Sequence, residues 1–156
     1  MLKINILTIG KNKDAWVVDS INHFLKLLQK FSVVNIIYIP EIKNSKNLSE
    51  IELKRAEEAA IESYIKSNYK IALTDRGRSY NSVQFSEFLN NLNQSSGGSV
   101  DFIVGGIYGL SDKLIKSCHQ TLSLSPMTMS HQLIRPVLLE QLYRGFSILA
   151  GGKYHK

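Results

Sequence analysis

Three short stretches of this chain combine residue types that can do chemistry. The first is Gly105-Gly106-Ile107-Tyr108-Gly109, inside VGGIYGLS. Glycines directly after an apolar run let a ligand approach the backbone with no Cβ in the way. A dinucleotide fingerprint would need GxGxxG and an acid about 20 residues on to hold a ribose. Here the spacing is GGxxG, and Lys113 to Leu139 contains no Asp or Glu. That argues against NAD or FAD and leaves a nucleoside-like ligand of another kind, or a structural turn. The second stretch is LSLSPMTMSH, Leu122 to His131, with hydroxyls, two methionines, a proline and no formal charge. Such a surface offers backbone amides and carbonyls to an adenine ring and a sulfonium. A triphosphate would need Lys or Arg. The competing reading makes Met127 and Met129 core filler. The third is the terminal GGKYHK, Gly151 to Lys156. Tyr154 can stack on a base, His155 can exchange a proton near neutrality, and Lys153 and Lys156 can meet phosphate. A solvated tail is the plain alternative.

Other chemistries lack their residues. The one cysteine, Cys118, excludes an internal disulfide, a CxxC pair and a Cys-rich zinc site. His23, His119, His131 and His155 are too scattered to suggest a metal site, and no Walker motif or GxSxG elbow is present. No metal is therefore expected. The net charge of +6 over 156 residues favours a polyanionic partner, RNA or DNA above all. From His131 onward the bases Arg135, Arg144, Lys153 and Lys156 face a single acid, Glu140. No apolar run approaches the roughly 18 residues that span a bilayer. MLKINILTIGK reads as a first strand and not as a signal peptide. A reducing, cytoplasmic setting is the simplest fit.

These stretches must be held by elements, and the chain alternates strand-like with helix-like segments, with no repeat or linker. Ile4–Ile9, Val33–Ile39, Tyr69–Thr74, Val100–Val104 and Thr121–Leu124 read as strands. Helices are expected over roughly Lys13–Lys30, from the capping box Ser49-x-x-Glu52 through Tyr64, over Val83–Leu92, near Asp112–Ser117 and over roughly Ser130–Leu149. The charges of the second helix read as a solvated face, and Asp75-Arg76-Gly77-Arg78 as a turn. Pro136 implies that the last helix kinks there or starts later. Gly151-Gly152 ends it. One α/β domain, residues 1–156, with a mainly parallel sheet follows. Ligands of such sheets sit beyond the carboxyl ends of the strands. That singles out the loops after Leu73, Val104 and Leu124.

LTDRG, IVGGIYGLS, LSLSPMTMSHQLIRPVLLEQLYRGFSI and YHK together resemble the RlmH family, the ribosomal large-subunit pseudouridine N3-methyltransferases of the SPOUT class. The resemblance extends over essentially the whole chain. It implies an α/β fold with a C-terminal trefoil knot, S-adenosylmethionine as cofactor, a homodimer, and ribosomal RNA in the assembled ribosome as substrate. Topology rules alone would argue against a knot. On matching positions it implies that Leu73, Gly105 and the loop Leu124, Ser125, Pro126, Met127, Thr128 and Met129 touch the cofactor. Arg144, Tyr154 and His155 match the family's RNA-binding and active-site positions. Two departures stand out. Gly77-Arg78 replaces an expected Gly-Lys pair, and Ile107 and Tyr108 are bulkier than the loop pattern leads one to expect.

For methylation of an imide nitrogen, His155 and then His131 are the titratable candidates for a base. Arg144 suits phosphate binding or stabilisation of negative charge. Two alternatives remain open from the sequence: a ribosome-binding protein that keeps the fold without catalysis, and an enzyme of the same class acting at another RNA position. Leu133, Val137, Leu138, Gln141 and Leu142 form a broad stripe on the last helix. It predicts a symmetric dimer built partly there.

Overall fold

A computed structural model describes all 156 residues. Five strands, β1 (Lys3–Ile9), β2 (Val33–Ile39), β3 (Tyr69–Ser79), β4 (Ser99–Ile103) and β5 (Gln120–Ser123), form one sheet in the order β2-β1-β4-β3-β5. Every neighbouring pair is parallel. A parallel sheet is covered on both faces, so its central strands are apolar on both. In β1, KINILTI is buried from Ile4 onward. Leu2, Ile4 and Ile6 join one core cluster, while Leu7 and Ile9 join the other.

Helices α1 (Ala15–Leu28), α3 (Ser82–Ser95) and α5 (Ile134–Leu149) cover the first face, where Val17, Leu89 and Leu138 meet Phe102 and Leu122. Helices α2 (Glu50–Tyr64) and α4 (Asp112–Ser117) cover the second through Ile61 and Leu114. The capping box at Ser49 forms as expected: Glu52 N donates to Ser49 Oγ at 3.2 Å, and Ser49 N donates to Glu52 Oε2 at 2.8 Å. Asn81 and Gln84 build a second one at the start of α3.

Three sequence expectations are corrected. Asp75-Arg76-Gly77-Arg78 does not end β3. The strand continues to Ser79, with an irregular excursion between Leu73 and Arg78, both of which register on Leu122. The partner strand β5 supplies the pairing that keeps this polar, glycine-containing segment extended. Helix α5 starts at Ile134 and not near Ser130, the later start of the two options that Pro136 left open, so Pro136 lies in the first turn, where its missing N–H costs no helical bond. The charged face of α2 is not wholly solvated, because Glu57 is buried. No helix is long and apolar enough to cross a membrane.

Candidate active site

The irregularity of β3 after Leu73 and the carboxyl ends of β4 and β5 bring the three expected segments together. Leu73 and Thr74, the run Val104 to Leu110, and the segment from Leu122 to His131 enclose one cavity of about 690 Å³. Ile134 closes it on the α5 side, and Glu50 and Lys54 of α2 reach it from the opposite face. Leu73, Gly105, Leu124, Ser125, Met127, Thr128 and Met129 all line it. Pro126 does not, and its fixed φ shapes the loop instead. Met127 is exposed, so it is not core filler.

The glycines have a different physical role from the one the sequence suggests. Gly109 N donates to Gly106 O at 3.1 Å, folding the loop back on itself. A Cβ on Gly105 would lie 2.6 Å from the carbonyl carbon of Gly109. Gly105 is thus demanded by the loop's own closure. Gly109, with φ +78°, has nothing within 4 Å of its missing Cβ, and it lines the cavity together with Gly105 and Gly106.

Two carboxylates of α2 hold this loop from behind. Glu57 is 6% exposed, and a Cβ on Gly106 would come 2.5 Å from its Oε1. Burial raises the Glu57 pKa, opposed by a hydrogen bond from the Gly106 amide. Glu58 accepts from the Ser111 hydroxyl and pairs with Lys113 Nζ at 3.6 Å. The cavity wall itself balances charge. Glu50 and Asp75 stand against Lys54 and Arg76, with Lys54 Nζ 3.4 Å from Glu50 and Arg76 Nη2 3.8 Å from Asp112.

His131 lines the cavity beside the start of α5. Burial lowers its pKa, and the charges of Arg135 and Lys13 lower it further against a weaker opposing pull from Glu41. Its imidazole is neutral at neutral pH and able to accept a proton. Beneath it sits Arg135, only 1% exposed and unforeseen as a site residue. Its guanidinium donates to Ile9 O (2.7 Å), Gly10 O (3.0 Å), Asn12 Oδ1 (3.0 Å) and His131 O (2.9 Å). Gln132 adds a bond from Nε2 to Lys11 O and accepts from Lys13 N, both at 3.1 Å. The loop before α5 is thereby tied to the loop after β1.

Arg144, Tyr154 and His155 do not line this cavity. The tail is docked on α5: Tyr154 Oη donates to Glu140 Oε1 at 3.1 Å, and its ring lies 4.7 Å from that of Tyr143, edge to face. The Arg144 guanidinium pairs with Glu140 and stands 4.8 Å over the Tyr154 ring. Burial and the Glu140 carboxylate raise the Tyr154 pKa. The phenol therefore stays protonated and serves as a donor, not a base.

A family model described as "Predicted SPOUT methyltransferase" matches residues 2–155. Among curated proteins, the ribosomal RNA large subunit methyltransferase H of Clostridium acetobutylicum is 38% identical, over 99% of this chain and 100% of its own length. The protein of the same name from Enterococcus faecalis is 36% identical over the same shares. Among solved structures, a probable methylase family protein from Haemophilus influenzae matches with TM-score 0.57 at 13% identity, covering 99% of this chain and 70% of that one. A probable methyltransferase from Bordetella pertussis matches with TM-score 0.55 at 13% identity, covering 93% and 95%. At such identities the structural likeness concerns the fold alone.

Proposed function

The chain belongs to the SPOUT methyltransferase family, and on that premise we propose that it methylates large-subunit ribosomal RNA, at N3 of a pseudouridine in the assembled ribosome. The observation that carries this reading is the convergence of three strand-end loops on one charge-balanced cavity.

S-adenosylmethionine fits the residues present. Leu73, Leu110, Leu122 and Ile134 offer apolar surface to an adenine, and the uncharged 124–129 loop offers backbone hydrogen bonds. A balanced set of two acids and two bases suits a zwitterionic amino-acid end, whereas a polyphosphate would need a cationic excess. When bound, this cofactor supplies an electrophilic methyl group on a sulfonium. The protein's task is to hold the target nitrogen in line with it and to take away the imide proton. His155 is the first candidate for that proton and neutral His131 the second. Arg144 holds phosphate or offsets the negative charge left on the base.

The deep trefoil knot and the homodimer belong to the same proposal. Leu138 and Leu142 of the stripe are buried in the protomer's own core, but Leu133 is exposed and Val137 half-buried. Trp16, 52% exposed, stands on the neighbouring α1. A second copy seated there would cover them. Each tail then serves the partner's cavity.

The test is calorimetry with S-adenosylmethionine, followed by mapping of the methylated nucleotide on ribosomes incubated with the protein. Binding without RNA and one new methyl on a large-subunit pseudouridine are expected. Absence of cofactor binding would sink the enzyme reading, and a methyl elsewhere would leave the enzyme but replace its target.

A further inference from the structure

A second cavity opens beside the first. It measures about 330 Å³ and lies where the end of β3 meets α3, lined by Arg78, Tyr80, Gln84, Glu87, Phe88 and Asn91 among others. We propose that this groove is an RNA subsite that holds one unpaired nucleotide of the substrate next to the nucleotide being modified. The proposal rests on the RNA-modifying reading of the first cavity.

Four observations carry it. The Arg78 guanidinium carbon lies 5.0 Å from the Tyr80 ring centroid. Arg78 is exposed and takes part in none of the protein's salt bridges. Its neighbour Arg76, by contrast, is paired with Asp112. An unpaired guanidinium held against an aromatic ring offers single-stranded RNA a planar surface for one base on its outer side and a charge for one phosphate.

The platform is also fixed. Tyr80 packs on Phe88 with centroids 5.1 Å apart and on Phe85 at 6.3 Å, and Phe85 is buried in the core. The ring is therefore ordered before any ligand arrives, which lowers the cost of binding.

Polar groups stand at the rim. Gln84 uses its Oε1 to accept from Asn81 N at 2.9 Å, which leaves its Nε2 to donate, and Asn91 is exposed. Both amides can meet a base edge. Glu87 is an acid in the same groove, so the site suits one phosphate at Arg78 and not a phosphate run.

Finally, the groove adjoins the first cavity. Arg78 registers on Leu122 across the sheet, and Leu122 and Arg76 line the first cavity.

The experiment compares wild type with Arg78→Glu, Arg78→Lys and Tyr80→Leu. For each, the KM and kcat for ribosomes lacking the modification, cosedimentation with those ribosomes, calorimetric affinity for S-adenosylmethionine, melting temperature and light scattering are measured. Arg78→Glu is expected to raise KM at least tenfold and to weaken cosedimentation alike. Tyr80→Leu should do so by roughly fivefold to 100-fold, the span of one lost base stack. Arg78→Lys should fall between, since the charge stays and the planar stack is lost. Cofactor affinity and kcat should hold. Tyr80 is half-buried, so if Tyr80→Leu melts early, the exposed Arg78→Glu decides.

An unchanged KM and unchanged cosedimentation in Arg78→Glu overturn the subsite. So does a parallel loss of cofactor affinity, which would make the groove a support for the first cavity. So does a change of oligomeric state, which would make it a contact between copies. Failure of the wild type to bind cofactor would instead strike the methyltransferase reading, while cosedimentation still reports on the groove.

Discussion

Glu57 shows how a charge can serve a loop from behind. Its carboxylate is buried against the Gly106 amide, and burial raises its pKa. The sign follows from linkage. A group whose folded pKa exceeds its unfolded value stabilises fully below the unfolded pKa, near 4.5, and loses that contribution as pH rises through the folded value. Glu57→Gln removes the charge but keeps an acceptor for the amide. Its stability relative to wild type should therefore improve as pH rises above about 4.5, read by urea unfolding across pH, and cofactor affinity should stay within about twofold. Glu57→Ala removes the carboxylate packed behind Gly106 and should weaken cofactor binding measurably. Equal affinity in both variants would show that the carboxylate does not position the loop. Nothing in the sequence marked Glu57 apart from its neighbours. Glu50, Glu52, Glu57, Glu58 and Glu62 all lie on α2, and which one turns inward is decided by a glycine loop about 50 residues away in sequence. Gly105, by contrast, was legible as special, although its reason is loop closure and not clearance for a ligand.

At the scale of elements, the strand ends were readable and the irregular pieces were not. Alternation of β-branched runs with helix-spaced apolar residues located all five strands and all five α-helices, though not the short 3₁₀ turn Ser45–Asn47, because burial on two faces or one stripe imposes that pattern. The extension of β3 through Arg78 escaped, since Asp and Gly carry turn propensity and the deciding contact is pairing with β5. The clamp at the start of α5 escaped for a similar reason: Arg135 reads as a surface cation, yet four oxygens surround it. Arg135→Ala leaves those acceptors unpaired in a buried site and should cost at least about 2 kcal/mol in urea unfolding. Arg135→Lys should recover less than half, because an ammonium cannot span the same fork. Cofactor affinity should fall in both, as the 124–131 loop loses its anchor. Wild-type stability in Arg135→Ala would refute the clamp.

The tail is the other element whose role can be measured. It ends in a docked Tyr154, not in the free hinge that Gly151-Gly152 suggests. Deleting Lys153 to Lys156 removes the Tyr154 edge-to-face pair, worth about 0.5–1.5 kcal/mol, with its hydrogen bond to Glu140 and its contact with Arg144, and leaves the cavity untouched. Cofactor affinity should hold, and methyl transfer to ribosomes should fall at least roughly tenfold, since loss of an acid–base group removes about a hundredfold or more. Transfer at the wild-type rate would return the tail to a solvated end.

For the whole molecule, the proposed reaction asks a small, basic, single-sheet domain to meet a large RNA through its surface. The positive excess of +6 predicts transfer that weakens as salt rises, through phosphate contacts. The same smallness makes assembly matter. Trp16, 52% exposed, lies on α1, and Leu133, 38% exposed, immediately precedes α5; the two helices pack together. Gln132, next to Leu133, bonds the backbone at Lys11 and Lys13 just before α1. The two apolar side chains thus lie on helix starts that the same loop joins, and a two-fold axis there would bury each patch against its copy. Leu133→Glu then places a charge on both sides of the interface. Being exposed in the protomer, the change should alter protomer folding by no more than about 0.5 kcal/mol. Light scattering at micromolar concentration should move from dimer to monomer. If each tail serves the partner's cavity, methyl transfer should fall as far as in the tail deletion, while each monomer keeps its own cofactor site. Mixing the tail-less protein with a Gly105→Val variant, whose own loop cannot close, should restore activity in the wild-type Leu133 background only. A Leu133→Glu protein that remains dimeric, or a monomer that methylates at full rate, would place the interface elsewhere or leave each tail to its own subunit.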